Sequence, residues 1–270
     1  MTFALGDILL KNKALLAPMA GITDLPFRRI AARFGAALVI SEMVASRELV
    51  TERRIRKRRA QIDADDGCGA VQIAGREAYW MGEAARLAAD RGATLIDINM
   101  GCPAKKVPGG QSGSALMRDP DHALTLIDAV VAATATPVTL KMRLGWDDDC
   151  LNAPEIARMA QDAGVAMITI HGRTRCQFYK GEADWRAVAA VKSAVDVPVV
   201  VNGDITSTAR ASEALEQSSA DAVMLGRRAQ GAPWMPGAIG AALAGQDYVP
   251  PKGDALLALI IQHYEAMLDF

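Results

Sequence analysis

The chain is predicted to belong to the α/β class, as a (β/α)8 TIM barrel followed by the start of a C-terminal helical domain. Three observations predict this. Short apolar runs rich in Val, Ile and Leu recur at intervals of roughly 25 to 40 residues, with amphipathic stretches between them, as βα units around a buried parallel sheet require. The runs number eight, which is what a small packed barrel needs to close. Residue types that carry chemistry follow the runs, whereas the turn formers Gly92, Pro137, Gly164 and Pro198 precede them, so one end of the barrel is marked for function.

In order, the predicted strands cover residues 15–18, 37–41, 70–73, 95–99, 138–142, 167–171, 199–202 and 222–226. The predicted helices cover 26–34, 46–59, 77–90, 120–134, 153–162, 184–195, 207–217 and 234–243. Residues 1–245 thus form the barrel. The stretch YVPPKGD reads as a linker and 255–270 as an amphipathic helix, so 246–270 is expected to open a helical domain that the chain does not finish.

Composition narrows the function classes. With 30 basic and 31 acidic residues the net charge is -1, so any nucleic-acid partner must be engaged by local patches. Cys68, Cys102, Cys150 and Cys176 lack CxxC spacing, and His122, His171 and His263 lie far apart; neither a disulfide framework nor a metal site is expected. No basic n-region with an apolar stretch opens the chain, and no run has bilayer length, so a cytoplasmic, monomeric protein without a membrane partner is expected.

The strand ends supply the candidate site. Asn202-Gly203-Asp204 and Gly226-Arg227 follow the seventh and eighth strands, where barrels build phosphate sites from backbone N–H groups; Arg227 can pair bidentately with a phosphate. Either loop alone reads equally as a tight turn. Lys141 ends an apolar strand, where it can stabilise negative charge on a ligand. Gln72 offers a donor and an acceptor to a ring edge and Met19 an apolar bed, although both also suit a satisfied core. His171 and Arg173 follow the sixth strand. Cys102, between Gly101 and Pro103 and close to Asn99, stands in a loop; a mostly protonated thiol there can give a proton to a carbanion. The run Arg53, Arg54, Arg56, Lys57, Arg58 and Arg59, with Arg28, Arg29 and Arg33 on the preceding helix, suits phosphates or a solvated helix face.

The segments APMAGITDLPFR, SEMVAS, VQIAG, DINMGCPAKKV with GSALM, LKMRLGW, HGRTRCQFYKG, VNGDI and MLGRRAQGAPW together resemble the tRNA-dihydrouridine synthases, most closely their bacterial B-type branch. The resemblance spans residues 15–234 and implies a flavin-binding barrel followed by a helical tRNA-binding domain. It implies FMN held by Pro18, Met19, Ala20, Gln72, Lys141, His171, Asn202, Gly203, Asp204, Gly226 and Arg227, with NADPH as reductant. It also implies Cys102 as general acid, Asn99 and Arg173 near the target uridine, and reduction of a uridine in the tRNA D-loop. Two alternatives stay open: a flavin reductase of a free pyrimidine or small enone, and a non-catalytic RNA-binding regulatory protein.

Overall fold

A computed structural model describes residues 3–5, 8–51, 60–63, 67–103 and 112–270. It opens with an antiparallel hairpin, β1 (Phe3–Leu5) and β2 (Ile8–Leu10). The barrel strands are β3 (Ala14–Leu16), β4 (Val44–Ala45), β5 (Ala70–Ala74), β6 (Leu95–Met100), β7 (Val138–Arg143), β8 (Met167–His171), β9 (Val199–Asn202) and β10 (Ala222–Leu225). They are parallel and hydrogen-bonded in the order β3-β10-β9-β8-β7-β6-β5-β4. Single bridges from Leu16 to Val39 and from Ile40 to Ala70 join the two ends of this order into a ring.

The strands alternate strictly. In β6, Ile96, Ile98 and Met100 pack outward with helix residues such as Ala84, Leu126 and Ile127, whereas Leu95 joins Leu15, Met167, Val200 and Ala222 inside the ring. Sequences that look continuously apolar therefore carry an inward set at every second position, and that set turns polar toward the carboxyl end: Leu95, Asp97, Asn99 in β6 and Thr139, Lys141, Arg143 in β7. The hairpin closes the opposite end, where Leu5 and Leu10 are buried in the same interior cluster.

Helices α1 (Leu25–Arg33), α2 (Ser46–Thr51), α3 (Ala78–Asp90), α4 (Pro120–Ala132), α5 (Ala153–Asp162), α6 (Trp185–Lys192), α7 (Thr208–Ser218) and α8 (Met235–Leu243) connect the strands. Their sequences dictate the packed face: α3 buries Met81, Ala84, Ala85 and Ala88, and α5 buries Ala153, Ile156, Ala157 and Ala160, the same i, i+3, i+4, i+7 stripe. Asp24, Asp119, Asp184 and Ser207 accept N-cap hydrogen bonds at α1, α4, α6 and α7. Small residues set the closest approach. A Cβ on Gly237 of α8 would lie 1.8 Å from the carbonyl oxygen of Phe34 at the end of α1. Gly237→Ala is expected to cost on the order of 3 kcal/mol, lowering the Tm by roughly 6–10 °C in thermal denaturation; an unchanged Tm would mean that α8 is not seated there.

Helix α9 (Gly253–Asp269) packs on α1, with the rings of Phe27 and His263 5.8 Å apart and Arg33 donating to Gln262 at 2.9 Å. Leu259 is its buried residue, and Leu257, Ile260, Tyr264, Met267 and Leu268 are exposed. No helix among the described residues is long and apolar enough to cross a membrane.

Two expectations need correction, and one element is new. The second strand does not run continuously over 37–41: after the bridges at Val39 and Ile40, Ser41 turns its hydroxyl to the Glu42 carbonyl and Glu42 accepts from the Gly21 amide, so pairing resumes only at Val44–Ala45. The N-terminal hairpin was not foreseen. Arg28 adds nothing to a basic surface, because it is fully buried and donates to the carbonyls of Thr23, Gln61 and Cys68; Arg29 is paired with Asp63. The run from Arg53 to Arg59, and with it the predicted helix beyond Thr51, lies outside the described residues.

Candidate active site

The inward-facing polar positions meet in one cavity of about 680 Å³ at the carboxyl end of the barrel. Pro18, Met19, Ala20, Gln72, Asn99, Cys102, Lys141, His171, Arg173, Asn202, Gly203, Asp204, Gly226 and Arg227 all line it. Arg143, which follows Lys141 at the end of its strand, lines it too, as do Met43, Tyr179, Thr206 and Arg228, which were not singled out from the sequence as site residues.

One chain of hydrogen bonds runs from below the cavity up to Cys102. Asp97, fully buried, accepts from the Thr139 hydroxyl at 2.6 Å and from Gln72 Nε2 at 2.7 Å. Gln72 Oε1 accepts from Asn99 Nδ2 at 2.9 Å, and Asn99 Oδ1 accepts the backbone N–H groups of Gly101 (3.2 Å) and Cys102 (2.9 Å). The Cys102 carbonyl accepts from the Ser114 amide and hydroxyl at 3.0 and 2.9 Å. Arg143 ties the same loop to its neighbour, donating to the Gly101 carbonyl and to those of Thr174 and Phe178. The backbone of Cys102 is thus held from both sides while its half-buried side chain borders the cavity.

Burial raises the Asp97 carboxyl to about 6, against the pull of its bonds to Thr139 and Gln72 and of the Lys141 charge. A raised carboxyl stabilises the fold when protonated. That stability is present below the unfolded value of 3.8 and fades as pH rises through about 6, by about 3 kcal/mol. Above pH 6 the ionised form therefore weakens the fold.

The opposite wall is cationic. Lys141 donates to Asn202 Oδ1 at 3.1 Å, and burial, with Arg143 nearby, lowers its ammonium to about 8. Asn202 in turn donates to the Met224 carbonyl at 2.7 Å, linking β7, β9 and β10. His171 is driven well below the usual imidazole range by burial and then by Lys141, Arg143, Arg173 and Arg227, so it is neutral near pH 7. Arg143 and Arg227 lie over the Tyr179 ring at 5.5 and 5.3 Å. Such a concentration of positive charge suits an anionic ligand.

Arg173 is buried, and four contacts engage its guanidinium. It donates to the carbonyls of Lys180 and Gly181, pairs with Asp204 at 2.7 Å and contacts His171 Nε2 at 3.3 Å. Asp204 also accepts from the Ala183 amide and adopts φ 55°, directly after Gly203 at φ 113°. A Cβ on Gly203 would come within 2.9 Å of the His171 ring and 2.8 Å of Ala183, so only glycine lets this loop lie flat against the cavity wall. Among the described residues no group of three or more His, Cys, Asp or Glu could hold a metal ion.

These features define a (β/α)8-barrel protein whose mouth holds one cavity with a cationic wall and a positioned thiol. An old yellow enzyme homologue from Zymomonas mobilis shares the fold, with a TM-score of 0.64 at 14% identity over 94% of this chain and 95% of that one. The dihydrouridine synthase family model matches residues 15–270, and the chain belongs to that family. A probable tRNA-dihydrouridine synthase of Rhodobacter capsulatus is 61% identical over all of this chain and 84% of its own length. The tRNA-dihydrouridine synthase B of Xanthomonas axonopodis pv. citri is 46% identical over 98% of this chain and 80% of its own.

Proposed function

We propose that the protein reduces a uridine in the D-loop of tRNA to 5,6-dihydrouridine in the cytoplasm, using FMN and NADPH. The observation that carries this reading is the meeting, in one cavity of a dihydrouridine synthase family member, of a presented thiol, a half-buried lysine and an arginine beside two glycine-containing loops. The donor set fits a flavin mononucleotide: Lys141 and Gln72 for the polar ring edge, Met19 for its apolar face, and Arg227 with the Gly203 and Gly226 loops for the phosphate. Pro18, Ala20, His171, Asn202 and Asp204 complete that wall.

A flavin held by these residues and reduced by NADPH would supply the hydride for C6 of the uracil ring. The protein's task is the other half of the addition: charge left at C5 takes a proton from the Cys102 Sγ–H. Lys141 offers positive charge in the same cavity. Asn99, with one N–H left after Gln72, and Arg173 border the space for the uridine, which must leave its stack to enter. Helix α9 is assigned, on the same reading, to the start of a tRNA-binding helical region at 246–270.

The purified protein is expected to show a flavin spectrum or to acquire one with FMN. With NADPH and unmodified tRNA it is expected to yield dihydrouridine, detected by mass spectrometry of the digested RNA. Failure to bind any flavin would overturn the reading, and turnover of free uracil without turnover of tRNA would replace it with a small-molecule reductase.

A further inference from the structure

We propose that Asp97, which does not line the cavity, is a positioning residue that fixes the direction of the Gln72–Asn99 hydrogen-bond chain and thereby holds the Cys102 loop in place. The inference rests on the reading of Cys102 as proton donor. Its geometry is set at both ends. The lower end is a carboxylate that, ionised, only accepts; the upper end is the Gly101 and Cys102 N–H pair, which only donates. Between them stand two amides, Gln72 and Asn99, each able to face either way. One arrangement satisfies every link: Gln72 Nε2 toward Asp97, Gln72 Oε1 toward Asn99 Nδ2, Asn99 Oδ1 toward the loop. Turning either amide over sets donor against donor or acceptor against acceptor. Thr139 holds the second carboxylate oxygen, and Lys141 is the charged group acting on Asp97 from the same strand as Thr139. The carboxyl is kept inside the barrel although burial opposes its charged form.

The test is amide hydrogen exchange in the flavin-free protein, with Ile98 and Leu140 as references in the neighbouring ladder. Asp97→Leu removes the accepting end at similar size. Exchange at Gly101 and Cys102 is expected to rise about 10-fold over the references, the scale of one net hydrogen bond. Asp97→Asn keeps an oxygen for Gln72 because the Thr139 hydroxyl can reverse its role, so it is expected to restore most of the protection. In the flavin-loaded protein, single-turnover uridine reduction is expected to fall about 100-fold in Asp97→Leu and to recover in Asp97→Asn.

Exchange at Gly101 and Cys102 that tracks the references in Asp97→Leu would overturn the inference, as would Asp97→Asn behaving like Asp97→Leu. Should Asp97→Leu not fold, Gln72→Met breaks the chain one link higher and carries the same expected rise in exchange. The two readings fail separately. A Cys102→Ala protein with full product yield defeats the proton-donor role while leaving the exchange result standing, and unaltered exchange in Asp97→Leu defeats the positioning role alone.

Discussion

The Cys102→Ala protein is expected to bind flavin and to be reduced by NADPH, yet to form dihydrouridine 10²- to 10⁴-fold more slowly, roughly the worth of a positioned general acid. The substitution is conservative for the loop. What pins residue 102 is backbone: its N–H to Asn99, its carbonyl to Ser114. None of these contacts involves the sulfur, so the change removes the proposed proton source while its frame stays. Stopped-flow reoxidation of the reduced enzyme by tRNA, with product counted by mass spectrometry, measures the loss directly. A product yield equal to that of the unaltered protein would show that another group, or water, delivers the proton.

Arg173→Met is expected to be the most destabilising single substitution at the site, by about 3 to 5 kcal/mol. The guanidinium is 2% exposed and its partner Asp204 is 23% exposed at the side chain, so water replaces little of what is lost. Methionine fills the volume but leaves the Lys180 and Gly181 carbonyls without their Arg173 donor and the Asp204 carboxylate with the Ala183 amide in place of a charged partner. Asp204 sits at positive φ beside Gly203, and the pair with Arg173 helps hold that conformation. Urea denaturation provides the measurement. A loss under about 1 kcal/mol, the range of an exposed pair, would mean that the loop holds itself.

Much of the barrel was legible because its two periodicities are written in residue type. The βα repeat placed seven of eight strands close to their observed positions, and the polar residues at their carboxyl ends were the ones that turned out to face a common cavity. The same periodicity contained more than was taken from it. Asp97 is two residues before Asn99, and equal parity in a strand means equal facing; a carboxylate at an inward position was a signal in plain view. Tyr179 offered no such signal, since its loop has no period and its place between two arginines depends on where β7 and β10 end. Arg173 was legible as a mouth residue but not as a strut, because the carbonyls that occupy it come from the loop after it. The second strand was read where the ring closes, at Val39 and Ile40, but its break and the further pairing at Val44–Ala45 were missed for a related reason: Glu42 answers to Gly21 across the mouth, a partner that sequence order does not suggest.

The hairpin that seals the far end of the barrel has a consequence for traffic. With Leu5 and Leu10 stoppering the interior, the described residues leave the cavity open toward the carboxyl end of the barrel, and on the proposed function the reductant and the RNA would have to share that mouth. The two half-reactions would then alternate, each waiting for the other's guest to leave.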